Sequence, residues 1–188
     1  HVRELFRGSL RWVTPLLWLS YFMSTIAIFV LTSWKPIIIE ALDFPRSTAA
    51  NVAALSSVLG ALAALVLMRF TDRHGPAAIT ACSGAAVPVL LLIGLGFVPH
   101  DLFIVISIVG SVLLSGMHYG MHSIAGIYYP SAIRATGGGW ASSVAKLGAV
   151  LGPLAAGFIL ASDMPKVQIY ALLAVCPAVV TLSVLGIA

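Results

Sequence analysis

The sequence predicts an all-α integral membrane protein with six transmembrane helices, and three observations support this prediction. Of the 188 residues, 60% are hydrophobic and only 9% are charged, whereas about 25% of the residues in a soluble domain are charged. The mean hydropathy is +1.07. A spanning helix needs roughly 20 apolar residues and a short connection adds about 10, so the chain has room for about six spans.

Charged residues, Pro and Gly divide the chain into six apolar segments. The first segment ends before Lys35, Asp101 separates the third from the fourth, and the fifth ends before Asp163. The six segments are residues 12–34, 48–68, 77–98, 102–128, 139–161 and 167–188. We therefore expect a flank of residues 1–11, followed by a six-span transmembrane unit of residues 12–188.

The distribution of Lys and Arg predicts the orientation, because these residues are retained on the cytoplasmic side of a membrane. One side of the bilayer would carry Arg3, Arg7, Arg11, Arg69, Arg73 and Arg134, with Glu4 and Asp72. The other side would carry Lys35, Arg46 and Lys166, with Glu40, Asp43, Asp101 and Asp163. Both termini are therefore expected in the cytoplasm.

The N-terminal flank allows two interpretations. Arg3, Arg7 and Arg11 recur at four-residue intervals, so they would share one helical face beside Leu5 and Phe6. The flank is either an ordinary basic cytoplasmic segment or a helix that lies on the membrane surface. The cations of this chain form no continuous basic block, so we expect no nucleic-acid partner.

Polar residues recur at helical spacing in three of the segments. A polar side chain in hydrocarbon is costly unless it faces protein or water, so such a face is expected to line a cavity. In the first segment these residues are Thr14, Tyr21, Ser24, Thr25 and Thr32. In the fourth they are Ser111, Ser115, His118, His122 and Tyr129. In the fifth they are Gly139, Ser142, Ser143, Lys146 and Pro153.

Lys146 is the most costly of these residues to insert. A lysine near the centre of a span costs about 2.5 to 3.5 kcal/mol on insertion scales. Its flexible side chain could snorkel toward the headgroups near Trp140. Alternatively, because Ser142 and Ser143 share its face, Lys146 could bind an anionic substrate in a water-accessible cavity.

His118 and His122 stand four residues apart and therefore on one helical face. Three roles are open: a metal site, a structurally hydrogen-bonded pair, or substrate contact with proton handling. Two imidazoles alone are a weak metal signal, so no metal site is assigned.

Small residues are frequent within the segments, and they allow helix backbones to approach closely in lipid. Examples are Ala53, Ser57 and Ala61, and the G-x-x-x-G pair Gly148 and Gly152. We interpret both sets as helix-packing signals.

Several runs resemble a known family. Residues 72–75 read Asp-Arg-His-Gly, and D-R-x-G between two spans resembles the loop motif of the major facilitator superfamily. Residues 129–140 contain Tyr-Pro, Arg-Ala-Thr-Gly and Gly-Trp, and they resemble the Y-P-x-x-x-R-A-T-G-x-G-W run of its aromatic acid:proton symporter branch. Residues 33–36, Ser-Trp-Lys-Pro, are similar to the S-W-L-P of that branch, and Gly-Pro follows at 152–153.

This resemblance covers essentially the whole chain and implies the C-terminal six helices of a twelve-helix carrier. It implies symport of protons with small organic anions, most commonly aromatic carboxylates such as benzoate or hydroxybenzoates, across a bacterial inner membrane and without a cofactor. The partners would be the substrate, protons, the lipid bilayer and the N-terminal half. Asp72, Arg73 and Arg134 would belong to gating loops that close the cytoplasmic side.

The resemblance also bears on the substrate site. The branch commonly has Arg where Lys146 stands and amide side chains where His118 and His122 stand. The positive charge is kept, but bidentate recognition of a carboxylate is lost. The residues expected to bind substrate are Lys146, His118, His122, Ser142, Ser143, Tyr21 and Thr25.

Other functions remain open at this stage. The chain could belong to a facilitator relative that moves a sugar or a drug, a membrane enzyme or metal-binding protein that uses His118 and His122, or a structural subunit. It contains no G-x-S-x-G, H-E-x-x-H or G-x-x-x-x-G-K signature. A transporter is therefore expected rather than an enzyme.

Overall fold

The computed structural model describes residues 2–187 and confirms the all-α prediction. The described residues form seven α-helices and two short 3₁₀-helices, and they contain no β-strand. The 3₁₀-helices are Val2–Phe6 and Lys166–Gln168. The α-helices are α1 (Leu10–Glu40), α2 (Arg46–His74), α3 (Pro76–Gly94), α4 (His100–Tyr128), α5 (Ser131–Leu160), α6 (Ile169–Leu173) and α7 (Val175–Ile187).

Six helical segments are long and apolar enough to cross a membrane, as the sequence predicts. Helices α1 to α5 are five of them, and the sixth is Lys166–Ile187. This last segment is interrupted at Ala174. In a continuous helix the ring of Pro177 would clash with the carbonyl of Leu173, four positions earlier, and α6 ends at Leu173. The ends of the chain assigned in the sequence, residues 1 and 188, lie outside the described residues.

The helices extend beyond the apolar segments from which they were predicted. Helix α1 continues through Lys35 and Pro36 to Glu40, although the first apolar segment ends at residue 34. Helix α5 begins at Ser131, eight residues before the predicted start at 139. Hydropathy marks the part of a helix that lies in hydrocarbon, and the backbone hydrogen bonds of a helix continue past that limit.

Every connection between these spans has five residues or fewer, so consecutive helices run antiparallel. The starts of α1, α3 and α5 therefore share one end of the bundle. We call it the arginine-rich end, because it carries Arg7, Arg11, Arg73 and Arg134. The tightest turn lies here: Gly75 alone joins α2 to α3, at a φ of +60° that glycine adopts without steric cost.

Helix α1 lies at the centre of the unit and packs against α5, α7, α4 and α2. Its approach to α5 is the closest, because two glycines of α5 face it. A Cβ atom on Gly148 would lie 2.6 Å from the carbonyl oxygen of Phe22, and one on Gly152 would lie 3.2 Å from the Cα of Ile26. The G-x-x-x-G pair therefore packs helices together, as predicted.

The second set of small residues does not pack in this way, and that prediction was wrong. Ser57 and Ala61 are exposed and Ala53 is half-buried. The residue of α2 that meets α4 closely is Gly60, where a Cβ would lie 2.6 Å from the Oγ of Ser115. The sequence spacing alone could not separate the two faces, because both carry small residues.

The flank folds as a 3₁₀-helix rather than as an α-helix with three arginines on one face. Leu5 is buried, and the hydroxyl of Thr14 donates a 2.6 Å hydrogen bond to its carbonyl. This contact fixes the flank to the start of α1. Neither of the two interpretations of the flank is decided by it.

We predict that Gly148→Ala lowers the thermal unfolding midpoint of the protein purified in detergent. The added methyl group would meet backbone of α1 rather than a movable side chain, and overpacking of this kind costs about 1 to 3 kcal/mol. The matched control is Gly138→Ala, because a Cβ at Gly138 meets nothing within 4 Å. Alanine favours a helix over glycine by about 1 kcal/mol, so this control should be neutral or stabilising. Equal midpoints for the two variants would contradict the packing described here.

Candidate functional site

A cavity of about 70 Å³ opens between α1, α2 and α4. It lies toward the end of the bundle opposite the arginine-rich end. Hydroxyl groups and one amine make up the polar part of its wall. The residues that line it are Ile28, Leu31, Thr32, Lys35, Ala53, Ser56, Ser57, Ser111 and Ser115.

A longer groove of about 480 Å³ shares four residues with this cavity and extends along α2 toward the arginine-rich end. The shared residues are Ile28, Thr32, Ser57 and Ser115. The groove reaches Met68 on α2 and Tyr119 on α4. The exposed small residues Ser57 and Ala61 leave room for this groove.

Lys35 is buried in the wall of the cavity, with 3% of its surface exposed. Its Nζ donates hydrogen bonds to the Oγ of Ser56 at 2.5 Å and to the Oγ of Ser111 at 2.7 Å. The distribution of charges predicts Lys35 among the charged residues on the side of the bilayer opposite the arginines, whereas the structure buries it inside the bundle. Helix α1 does not end at Trp34, and its side chains tilt toward the helix N-terminus, which carries the amine into the bundle. Lys35 stands three residues after Thr32, on the same polar face of the helix, and this spacing is the sequence pattern that indicates a position inside the bundle.

The two histidines lie beside α1, closer to the arginine-rich end. The Nδ1 of His118 lies 3.3 Å from the hydroxyl of Ser24, within hydrogen-bond distance. The ring of His122 lies 5.6 Å from that of His118 and 5.7 Å from that of Tyr21, edge to face in both cases. His122 is exposed and His118 is half-buried. The structure thus brings together three of the predicted binding residues, His118, His122 and Tyr21.

Thr25, a fourth predicted binding residue, is buried beside this cluster. Its hydroxyl donates to the carbonyl of Tyr21 at 2.7 Å, within its own helix. No three His, Cys, Asp or Glu side chains among residues 2–187 are placed to hold a metal ion. Ser24 and Tyr21 are buried, so the cluster presents mainly the imidazole of His122, with His118 behind it, to a molecule that lies against it.

Lys146 lies at the midpoint of α5, 15 residues after Ser131 and 14 before Leu160. Its side chain is exposed, and it makes no hydrogen bond or ion pair within the described part of the chain. Ser143 is exposed as well and donates to the carbonyl of Gly139 at 2.9 Å. Ser142 is half-buried. The structure does not place Lys146 in the wall of the cavity that contains Lys35.

The charged residues predicted for the gating loops lie at the arginine-rich end. Asp72 and Arg73 are exposed in the last turn of α2, just before Gly75. Arg134 is exposed in the first turn of α5, and its Nε donates to the carbonyl of Tyr129 at 3.3 Å. Asp72 and the two arginines form no ion pair with each other within residues 2–187.

The runs that carry the family resemblance fasten α5 to α1 at both ends of the bundle. At the arginine-rich end, the ring of Tyr129 packs against Gly137, and its hydroxyl donates to Thr14 at 3.2 Å. Near the other end, the Nε1 of Trp34 donates to the carbonyl of Pro153 at 3.0 Å. These motif residues therefore position the helices that carry the candidate site.

Comparison with known proteins agrees with this architecture. A profile of the Major Facilitator Superfamily matches residues 17–187. A gallate transporter of Pseudomonas putida is 28% identical over 98% of this chain and 41% of its own length. A 3-(3-hydroxy-phenyl)propionate transporter of Escherichia coli is 31% identical over 90% of this chain and 42% of its own length. A 4-hydroxybenzoate transporter of Acinetobacter baylyi is 27% identical over 91% of this chain and 38% of its own length. The chain spans about two-fifths of the length of these curated relatives.

Proposed function

The chain belongs to the major facilitator superfamily, and on that premise we propose that it supplies six helices of a proton-coupled transporter for small aromatic carboxylates. The observation that carries this proposal is the polar groove between α1, α2 and α4. The cavity that adjoins this groove presents Lys35 and serine hydroxyls, and no carboxylate lines the cavity or the groove. A groove with this lining attracts an anion.

The proposal includes a second six-helix half that covers the polar face. Carriers of this kind bind substrate near the bilayer midplane, between two repeats, and alternate access by rocking one repeat against the other. The relatives named above are all transporters of aromatic acids, and they are more than twice as long as this chain. That difference in length supports a partner half of similar size.

In this proposal Lys146 pairs with the carboxylate of the substrate. It stands at the midpoint of α5 and is exposed. A cation at that depth facing lipid is costly, so a position facing the substrate or the other half is favoured. The rings of Tyr21 and His122 would contact the aromatic part of the substrate, with Thr25 supporting Tyr21 and with Ser142 and Ser143 on the same helix as Lys146.

His118 and His122 are assigned to proton handling or substrate choice. An imidazole ring can gain or lose a proton, and the hydrogen bond with Ser24 gives His118 a partner whose hydrogen-bonding role changes with its protonation. A metal-binding function is less well supported, because the histidines bring no third ligand within residues 2–187.

The gating role proposed for Asp72, Arg73 and Arg134 follows from their place at the arginine-rich end. All three side chains are exposed. Contacts that they make with the second half in only one conformation would bias the carrier toward that conformation.

We predict that the complete carrier, reconstituted in proteoliposomes, accumulates 4-hydroxybenzoate or benzoate when the external pH is lowered. Uptake should collapse when a protonophore abolishes the pH gradient. His118→Gln and His122→Gln keep hydrogen bonding but do not titrate near neutral pH, so at least one should flatten the pH profile. Uptake of glucose but of neither acid would contradict the proposed substrate class, and unchanged pH profiles in both variants would make the pair structural.

Lys146→Met should reduce carboxylate binding by about one to two orders of magnitude, because a charge-assisted hydrogen bond contributes about 1.5 to 3 kcal/mol. Lys146→Arg should keep much of the affinity. Isothermal titration calorimetry of the complete carrier with 4-hydroxybenzoate measures both effects. The control is Arg46→Met, which removes an exposed cation at the end of the bundle opposite the arginine-rich end. If Lys146→Met binds as tightly as the parent protein, Lys146 does not contact the substrate.

We also propose that the arginine-rich end faces the cytoplasm of a bacterial inner membrane, so that both termini of the chain are cytoplasmic. Single cysteines at Ser131 and at Asp101, in a background without Cys82 and Cys176, test this orientation. In intact spheroplasts an impermeant maleimide should label the cysteine at Asp101, and it should label that at Ser131 only after permeabilisation. The reverse pattern would invert the orientation.

A further inference from the structure

Lys35 is a buried cation without a counter-charge in the described part of the chain. All six carboxylates of the sequence lie outside the cavity wall, and the ion pair within residues 2–187 joins Arg46 and Glu40 at 4.0 Å. Removing an ammonium group from water is unfavourable unless an anion and hydrogen bonds compensate for it. Two serine hydroxyls supply hydrogen bonds but no charge. An anion from outside this chain would supply the missing charge.

The position of the amine excludes snorkelling as its explanation. Its partners Ser56 and Ser111 lie 10 and 11 residues after the starts of α2 and α4 at Arg46 and His100. At 1.5 Å per residue, this is about 15 Å along each helix from its end. A snorkelling lysine would extend toward the near surface, whereas Lys35 extends toward the interior of the bundle.

The three side chains are arranged to receive an anion. An ammonium group has three N–H donors, and the two serines take two of them. The hydroxyl of Ser111 donates a 2.8 Å hydrogen bond to the carbonyl of Ser107, whereas Ser56 makes no hydrogen bond within residues 2–187 other than the one with Lys35. One N–H of Lys35 and the hydroxyl proton of Ser56 therefore remain for an acceptor in the cavity.

The groove extends from the Lys35 cavity toward the histidine cluster. The groove that shares Ser115 and Thr32 with the cavity reaches Tyr119, whose ring lies 5.1 Å from that of His118. Ser111 and His118 are seven residues apart, which is about 10 Å along α4. A benzene ring with an acidic group at each end, together with its hydrogen bonds, has this length.

We propose that Lys35, Ser56 and Ser111 form a carboxylate subsite that receives a second acidic group of the transported molecule. The preferred substrate class is then an aromatic dicarboxylate rather than a monocarboxylate. This inference rests on the proposed function, since it takes the groove as part of a transport path. It adds a substrate class and three residues that were not among the predicted binding residues.

The test measures binding of benzoate and of benzene-1,4-dicarboxylate to the complete carrier by isothermal titration calorimetry. The parent protein should bind the dicarboxylate at least about tenfold more tightly. Lys35→Met should weaken dicarboxylate binding by about 10- to 100-fold and benzoate binding far less, so that the preference for the dicarboxylate is lost. Lys35→Arg should retain part of the preference. Arg46→Met, which removes an exposed cation from the same end of the bundle, should bind both acids as the parent does.

A second variant keeps the test decisive if Lys35→Met does not fold. Ser56→Ala leaves the charge in place and removes the free hydroxyl, so it should reduce dicarboxylate binding selectively by a smaller factor. If the parent protein binds the two acids with equal affinity, the subsite proposal is overturned. It is also overturned if Lys35→Met loses binding of both acids, because Lys35 would then be a counter-ion for the second half. If the parent protein binds neither acid, the proposed function is overturned as well. This outcome distinguishes failure of the proposed function from failure of the subsite alone.

Discussion

The close contact between α1 and α5 is the constraint on which the rest of the structure depends. In lipid the hydrophobic effect does not drive helices together, so close backbone packing and hydrogen bonds must hold them. Gly148 and Gly152 provide the first, and the Trp34 to Pro153 hydrogen bond provides the second. With α5 fixed on one side of α1, the polar side of α1 is presented to α2 and α4. The candidate site forms there.

Most hydroxyl groups within the bundle donate to a backbone carbonyl of their own helix. Thr25, Ser83 and Ser107 each donate to a backbone carbonyl three or four residues earlier. Hydrogen bonds that cross between helices are fewer, and those at the candidate site join Ser24 to His118 and Lys35 to two serines. Because unsatisfied polar groups are costly in hydrocarbon, such inter-helix contacts reveal more about function than the polar residues themselves.

The residues of the recognised runs have a structural role in this half. Tyr129, Gly137 and Thr14 meet at the arginine-rich end, although they are distant in the sequence. The resemblance was thus recognised from residues that hold α1 and α5 in place, while the side chains that line the groove lie mainly outside those runs. The runs therefore do not reveal the bound molecule.

Composition and helical periodicity by themselves determined that this chain is helical, that it has six spans, and that polar faces lie on three of them. These properties follow from the cost of placing polar groups in hydrocarbon, and that cost acts on each helix separately. Only the tertiary structure decided that Lys35 lies inside the bundle, that Ala53 and Ser57 line a cavity instead of a helix contact, and that Ser24 meets His118. These depend on the rotation of each helix about its axis, which is set by its neighbours and cannot be read from one segment.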